Sequence, residues 1–424
     1  MGELRERKLS RVGNAHPTVE ILCRESDRTS NSSIYMKILF LDQSGKPGGA
    51  ELCLIDIAKP YRDRCLVCLF ADGSFKDLLQ QQQIPVRVLA AQGLQVRKES
   101  SLLQGLSSLG QIIPLIAQVV KVARDYDLIY ANTQKALVVG AIASLFSRRP
   151  LVYHLHDILS TEHFSRTNLR LAITLANRFA SLVIANSQAS QAAFVAAGGN
   201  PELVNVVYNG FEPEFYQHHQ FQPHQIKQQL GLEGQFIVGH FSRLAPWKGQ
   251  HILLEALTHC PKDVNAILVG DALFGEQDYV QYLHQQVADL GLEQRVQFLG
   301  FRSDVVPLMT ACDLVAHTST AAEPFGRVIV EAMLCARPVV AAQAGGAVEL
   351  VETGKTGWLV PPEDPQQLAA VINTCRQQPE LSQSIAQQAQ IAASQRFQLA
   401  SINQQIAQLL RQLRGAGGLN SFEF

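Results

Sequence analysis

Short apolar runs alternate with stretches of helical period along almost the whole chain. The runs fall at 36–41, 65–70, 86–89, 127–131, 151–155, 181–185 and 204–208, then at 236–241, 264–269, 296–299, 312–316, 338–342 and 357–360. Each is nearly continuously hydrophobic, as expected of strands covered on both faces in a parallel sheet. The intervening segments carry the helices. The rhythm runs through twice, broken by a polar, His- and Gln-rich stretch between Glu212 and Gly234. The pattern therefore predicts an α/β protein with two doubly wound, Rossmann-like domains, 36–215 and 216–395, and a C-terminal segment, 396–424. Residues 1–35 are polar and lack an apolar signal region. They are expected to be a disordered extension, or upstream sequence added by an early start codon, and the foldable length is counted from Met36.

Composition narrows the class. The chain has 424 residues, 47% hydrophobic and 17% charged, with 36 Lys+Arg against 37 Asp+Glu. That length suits two or three domains, and a balance near zero provides none of the clustered cations that nucleic-acid binding draws on. The longest apolar stretch, Ala136 to Phe146, is about half of the ~20 residues a membrane-spanning helix needs. Eight Cys are too sparse for a disulfide scaffold, and the one C-x-x-C, Cys65 and Cys68, reads as part of a buried strand. A reducing, cytoplasmic setting is expected.

In doubly wound sheets ligands gather outside the carboxyl ends of the strands. After the first strand comes Gly48-Gly49-Ala50-Glu51, glycines that allow close approach ahead of a helix. The Lys precedes the glycines and no Gly-Lys-Ser/Thr follows, so this is not a P-loop, and no Gly-x-Gly-x-x-Gly marks a dinucleotide enzyme. After the strand 236–241, Arg243 and Lys248 are two cations on one loop, able to converge on an anion. Then come Glu323-Pro324-Phe325-Gly326 and, two turns into the next helix, Glu331, and after the following strand Gly345-Gly346. In the first domain His154 and His156-Asp157, Asn132-Thr133 and Asn186-Ser187 all follow strands, where a helix-capping role competes with ligand contact.

Together, Glu323 and Glu331 in an E-x7-E frame, Arg243 with Lys248-Gly249, Gly48-Gly49-Ala50-Glu51, and Gly345-Gly346…Glu349…Thr356-Gly357-Trp358-Leu359-Val360-Pro361-Pro362 resemble a retaining glycosyltransferase of family 4. The resemblance implies a GT-B fold, with two Rossmann-like domains facing across a cleft and a C-terminal helix crossing back to the first. The apolar stripe Leu399, Ile402, Ile406, Leu409, Leu410 and Leu413 lies where such a helix would be. It implies transfer of a hexose from a UDP- or GDP-linked sugar to a hydroxyl of a glycan, lipid or small-molecule acceptor. Arg243 and Lys248 would clamp the departing diphosphate, assisted by amides at Phe325 and Gly326. Glu323 would hold the sugar hydroxyls, Glu331 the ribose, Gly48 and Gly49 the donor, and His156 the sugar near the reaction centre. Asn132, Asp157 and Asn186 are the acceptor candidates. No cofactor or metal is expected, since two fixed cations can neutralise a diphosphate and no Asp-x-Asp that would hold a metal is seen.

The competing readings are a carboxylate-pair glycoside hydrolase, which has no use for the cation pair, and a non-catalytic two-lobed sugar- or nucleotide-binding module. The chain departs from the family pattern at Cys335-Ala336-Arg337, where a Gly is usual before Pro338, and at Val348, where a Pro is usual. The helical stretch 100–124, with Pro114 inside and Arg97-Lys98 ahead, raises peripheral contact with the inner membrane face against plain packing on the sheet. Alanine at Glu323, Arg243 or Lys248 is expected to lower transfer by orders of magnitude and leave the fold intact.

Overall fold

A computed structural model describes residues 36–89, 102–217, 222–272 and 275–416, with the side chains of 102–111 and 414–416 left aside. The extension at 1–35, Arg97-Lys98 and His218 to Gln220 lie outside the described residues.

All thirteen predicted strands are present, each boundary within two residues of expectation. The first seven are β1 (Ile38–Asp42), β2 (Cys65–Leu69), β3 (Val86–Val88), β4 (Leu128–Ala131), β5 (Leu151–Leu155), β6 (Ala180–Ala185) and β7 (Val204–Val206). They pair in parallel in the order β3-β2-β1-β4-β5-β6-β7. The next six are β8 (Phe236–Phe241), β9 (Val264–Val269), β10 (Val296–Gly300), β11 (Leu314–His317), β12 (Val339–Ala342) and β13 (Trp358–Val360). They form a second parallel sheet in the order β10-β9-β8-β11-β12-β13. The order reverses between β1 and β4 in one sheet and between β8 and β11 in the other. At such switch points the loops diverge and leave a crevice for ligands. The loops that matter below follow β1, β4, β5, β8, β11 and β12.

The strands are apolar because helices cover both their faces. β1, β2 and β9 are buried throughout. Cys65 and Cys68, three apart on β2, point to opposite faces and cannot pair. All the described cysteines are free and buried. The helix Leu102–Ala123 buries Leu115, Val119 and Ala123 at a spacing of four in the first core, as packing on the sheet requires. No described helix is long and apolar enough to cross a membrane.

Two chain crossings join the halves. Phe211 N–H donates to the Phe397 carbonyl at 2.8 Å, and Leu399 N–H donates to the Phe211 carbonyl at 2.7 Å. Beyond them the helix Leu399–Ala416 buries Ile402, Ile406 and Leu410. Asn403 Nδ2 donates to the Asp56 carbonyl at 3.1 Å, at the end of the first-domain helix Gly49–Ala58.

Candidate active site

The second sheet contributes a compact ionic centre. β8 runs into Ser242 and Arg243, and a 3-10 turn over Pro246–Lys248 ends at Gly249 with φ +70°. A Cβ on Gly249 would lie 1.9 Å from the Thr318 carbonyl oxygen, so only glycine lets this loop seat against the end of β11. Thr318 Oγ1 completes the seat on the carbonyl of Gly249 at 2.7 Å. The turn delivers Lys248 Nζ to Glu323 Oε2 at 2.7 Å. Ser319 Oγ reaches the same oxygen at 3.0 Å and His317 Nε2 at 3.3 Å. Burial works to raise the Glu323 pKa, but Lys248 and His317 outweigh it and hold the carboxyl well below its ordinary range. Glu323 is therefore an anion at any physiological pH, and these three partners all sit on its Oε2.

Arg243 lies on the same loop, its Nε 3.2 Å from Glu276 Oε2. Trp247 stands between the two cations, with Lys248 Nζ 4.0 Å and the Arg243 guanidinium carbon 6.0 Å from its ring centre. Its edge meets His163 of the first domain at 5.8 Å. Glu331 sits one turn after Arg327, whose Nε lies 3.6 Å from its Oε1 and whose Nη1 lies 3.6 Å from Asp56 Oδ2 in the first domain. Burial raises the pKa of Glu331 and takes Asp56 to about 6, with Arg327 opposing both shifts.

In the first domain β1, β4 and β5 build a relay. Asn132 Nδ2 donates to Asp42 Oδ2 at 2.7 Å and to the Ala50 carbonyl at 3.1 Å, which fixes the amide orientation. Asn132 Oδ1 must then accept from His156 Nε2, 2.9 Å away. The neutral imidazole therefore carries its proton on Nε2 and offers Nδ1 as an acceptor. Burial, with a contribution from the Arg327 charge, takes its pKa down to about 3, so it is uncharged at neutral pH. The His154 ring lies beside it, with centres 3.9 Å apart and planes tilted by 39°, and hydrogen-bonds the Tyr130 hydroxyl through Nδ1 at 2.9 Å. Cys53, His154 and His156 place ligand atoms within 4.8 Å of one another. Two of the imidazole nitrogens there are already engaged, His154 Nδ1 by the Tyr130 hydroxyl and His156 Nε2 by Asn132 Oδ1.

Several expectations change. Asn132, completely buried, holds His156 and cannot reach an acceptor. Asn186 is buried too and accepts from Ser190 Oγ at 2.9 Å within the cap of the helix Gln188–Ala196. Asp157 stays beside the relay, half-buried, its pKa raised by burial against the pull of His163. The Phe325 side chain is 2% exposed and packs among Tyr208, Phe211 and Phe397, so only its backbone and that of Gly326, ahead of the helix Arg327–Leu334, remain for a donor. Gly345, at φ +59°, has no room for a Cβ because the Glu323 backbone lies 2.3 Å away. What the Gly345-Gly346 loop approaches closely is Glu323 itself, with Gly346 N–H donating to its carbonyl at 2.7 Å. Gly48 N–H donates to Glu51 Oε2 at 2.9 Å, and the Cβ site of Gly49 lies 3.5 Å from Arg327 Cδ across the cleft. An Asp-x-Asp does occur, Asp125-Tyr126-Asp127, but it stands ahead of β4 at the far end from the cleft, where Asp127 accepts from Lys37 N–H at 2.8 Å.

The glycosyl transferases group 1 family matches residues 222–392, and glycosyltransferase family 4 matches 47–215. Anabaena Alr3699/HepE, solved in complex with UDP-glucose, is 65% identical over 89% of this chain and 100% of its own, with a TM-score of 0.83. This chain belongs to the group 1 glycosyltransferases. A second Alr3699/HepE structure, with UDP and glucose, gives a TM-score of 0.84 at 66% identity. Among curated relatives, spore coat protein SA of Bacillus subtilis is 34% identical over 39% of this chain and 48% of its own length. The D-inositol 3-phosphate glycosyltransferase of Mycobacterium marinum is 30% identical over 58% of this chain and 55% of its own. The chain thus spans about half the length of the curated relatives it matches. Sucrose-phosphate synthase from Thermosynechococcus elongatus, 21% identical with a TM-score of 0.76, shares the two-domain GT-B fold.

Sequence reasoning missed several residues of this glycosyltransferase: Arg327, Asp56, His317, Ser319 and Glu276. A cation inside the E-x7-E frame, at a spacing of four before Glu331, was the available signal for Arg327. Its guanidinium carbon also stands 4.5 Å from the Phe211 ring centre at the chain crossing. Replacing Arg327 with Met strands Asp56 and Glu331 without their shared counter-charge. We expect urea unfolding at pH 7 to show a loss on the order of 3 kcal/mol.

Proposed function

We propose that the protein is a retaining, metal-independent hexosyltransferase that moves a sugar from a nucleotide diphosphate, UDP-glucose being the first donor to try, to an acceptor hydroxyl. The observation that carries this reading is the Lys248–Glu323 pair at 2.7 Å, a cation and an anion fixed side by side at the switch point of the second sheet. In the transfer, the acceptor oxygen bonds to the anomeric carbon as the bond from that carbon to the diphosphate breaks. The electron pair leaves with the phosphate, whose departing oxygen takes the proton the acceptor hydroxyl gives up. Charge accumulates on the leaving group, where Lys248 and Arg243, with the amides at Phe325 and Gly326, are placed to stabilise it without reorganising. Glu323 Oε1 and His156 Nδ1 are acceptors for the donor sugar's hydroxyls and orient the anomeric carbon. A glycoside hydrolase needs one carboxyl group able to donate a proton. Glu323, held ionised, is unsuited to that role, and the second carboxyl, Glu331, is paired with Arg327 at 3.6 Å.

The relatives support the donor class, since Alr3699/HepE was solved with UDP-glucose and with UDP and glucose. The acceptor is a hydroxyl compound read by the first-domain loops. We place the protein in the cytoplasm, in keeping with its free buried thiols. The test is turnover of UDP-glucose in the presence of EDTA, with the anomeric configuration of the first product read by NMR. Inversion would refute retention, and no turnover in EDTA with recovery on adding a divalent cation would refute metal independence. UDP binding with no turnover for any acceptor or water would favour the binding module.

His156→Ala is expected to lower kcat on the order of 10²-fold, with UDP affinity near that of the intact protein. Because its pKa is near 3 in the fold, the pH profile of kcat/KM should show no inflection near the ordinary histidine value that is lost in the variant.

A further inference from the structure

The helix Gln188–Ala196 begins after β6 in the first domain with its own cap, Ser187, whose Oγ accepts from Ser190 N–H at 2.9 Å. The two amides this cap leaves are taken by a carboxylate from the other sheet. Glu349 Oε2 accepts from Gln188 N–H at 3.0 Å and Oε1 from Ala189 N–H at 2.8 Å, and the Tyr208 hydroxyl adds a third bond to Oε2 at 3.0 Å. A helix N-terminus favours an anion through its free N–H groups and its dipole. Here the anion comes from 160 residues further along the chain.

Glu349 lies on the one-turn helix Ala347–Leu350, immediately after Gly345-Gly346. Gly346 N–H holds the Glu323 carbonyl at 2.7 Å, and Glu323 holds Lys248 through its side chain at 2.7 Å. From the first-domain helix to the donor-side ion pair there are thus four consecutive tight links: Gln188 and Ala189 to Glu349, Glu349 to Gly346 along the chain, Gly346 to Glu323, and Glu323 to Lys248. The loop is braced from behind by Arg396, whose Nη1 donates to the Glu349 carbonyl at 2.6 Å and whose guanidinium carbon lies 5.0 Å from the Tyr208 ring centre.

We infer that Glu349 is a positioning residue, a latch that holds the donor-side loops against the acceptor domain in the arrangement transfer requires. The inference rests on the transferase reading, because its consequence is for turnover. Glu349 touches neither Lys248 nor His156, so it acts only by setting where the two halves of the site stand. A plain interface contact would instead lower stability and leave turnover per folded molecule unchanged.

The test uses the full chain with Glu349→Ala and Glu349→Gln. Four readouts are taken: amide hydrogen exchange at Gln188 and Ala189, small-angle scattering, UDP-glucose hydrolysis and UDP affinity. In the Ala variant exchange at the two amides should rise about tenfold or more and the radius of gyration should increase. Hydrolytic kcat should fall on the order of 10²-fold while the Kd for UDP stays within about threefold. Gln, which keeps one acceptor oxygen, should fall between. The inference is overturned if the Ala variant keeps its kcat, or if kcat and UDP affinity collapse together. A parent protein that binds no UDP or turns over no UDP-glucose refutes the transferase reading instead, and unchanged exchange and scattering in the Ala variant would still overturn the latch.

Discussion

Glu323→Gln is expected to lower UDP-glucose turnover on the order of 10²- to 10³-fold with a measurable loss of stability as well. The substitution keeps the shape but removes the charge on which Lys248 Nζ, Ser319 Oγ and His317 Nε2 converge. With Lys248 16% and Glu323 12% exposed in their side chains, neither charge is freely solvated. Removing one partner of such a pair costs about 3 kcal/mol. Site variants at this pair are therefore expected to cost stability as well as turnover. The pH dependence has a definite sign. Because the pKa of Glu323 is held below its ordinary 4.5, its contribution to stability is fully present above that value and is lost as pH falls toward and through the folded one. Urea unfolding of the parent and variant should differ most at neutral pH, and the difference should shrink in acid. A constant difference down to pH 3 would refute the ionised assignment.

Lys248→Ala should fall as far in kcat, since in the proposed transfer the ammonium meets charge that develops only as the diphosphate departs. Lys248→Arg should restore little, because a planar fork cannot occupy the place of a point charge between the Trp247 ring, 4.0 Å away, and Glu323. The stability effects of Lys248→Ala and Glu323→Gln should not add. Once the pair is broken from one side, the second change removes the stranded partner, so the double variant should be little worse than either single one. Additive losses would mean that the two side chains contribute separately and that the 2.7 Å contact is incidental to folding.

The fold was legible because parallel strands covered on both faces are marked in sequence by their apolar runs, and the order of strands and helices then admits few topologies. Residue type and strand-end position sufficed to single out Lys248 and Glu323, which the fold brings together at 2.7 Å. They failed where the answer depended on what lies across a loop. An Asn after β4 looks the same whether its amide faces the cleft or turns back to Asp42. Gly345 reads as room for a ligand, but the space goes to the backbone of Glu323. Arg327 and Asp56 are far apart in sequence, and only the docking of two sheets brings them together.

The chain crossing at Phe211 and Leu399 also governs how the protein can be divided. Helix Leu399–Ala416, last in the described chain, docks on the unit built first, through Asn403 and the buried Ile402, Ile406 and Leu410. Cutting the polypeptide in the polar stretch after Tyr216 would not yield two self-sufficient halves. The leading piece would lack its closing helix and the trailing piece would carry an apolar stripe without a partner. The natural units of folding are interleaved along the chain, and recombination with a relative would have to exchange the leading domain and the final helix together.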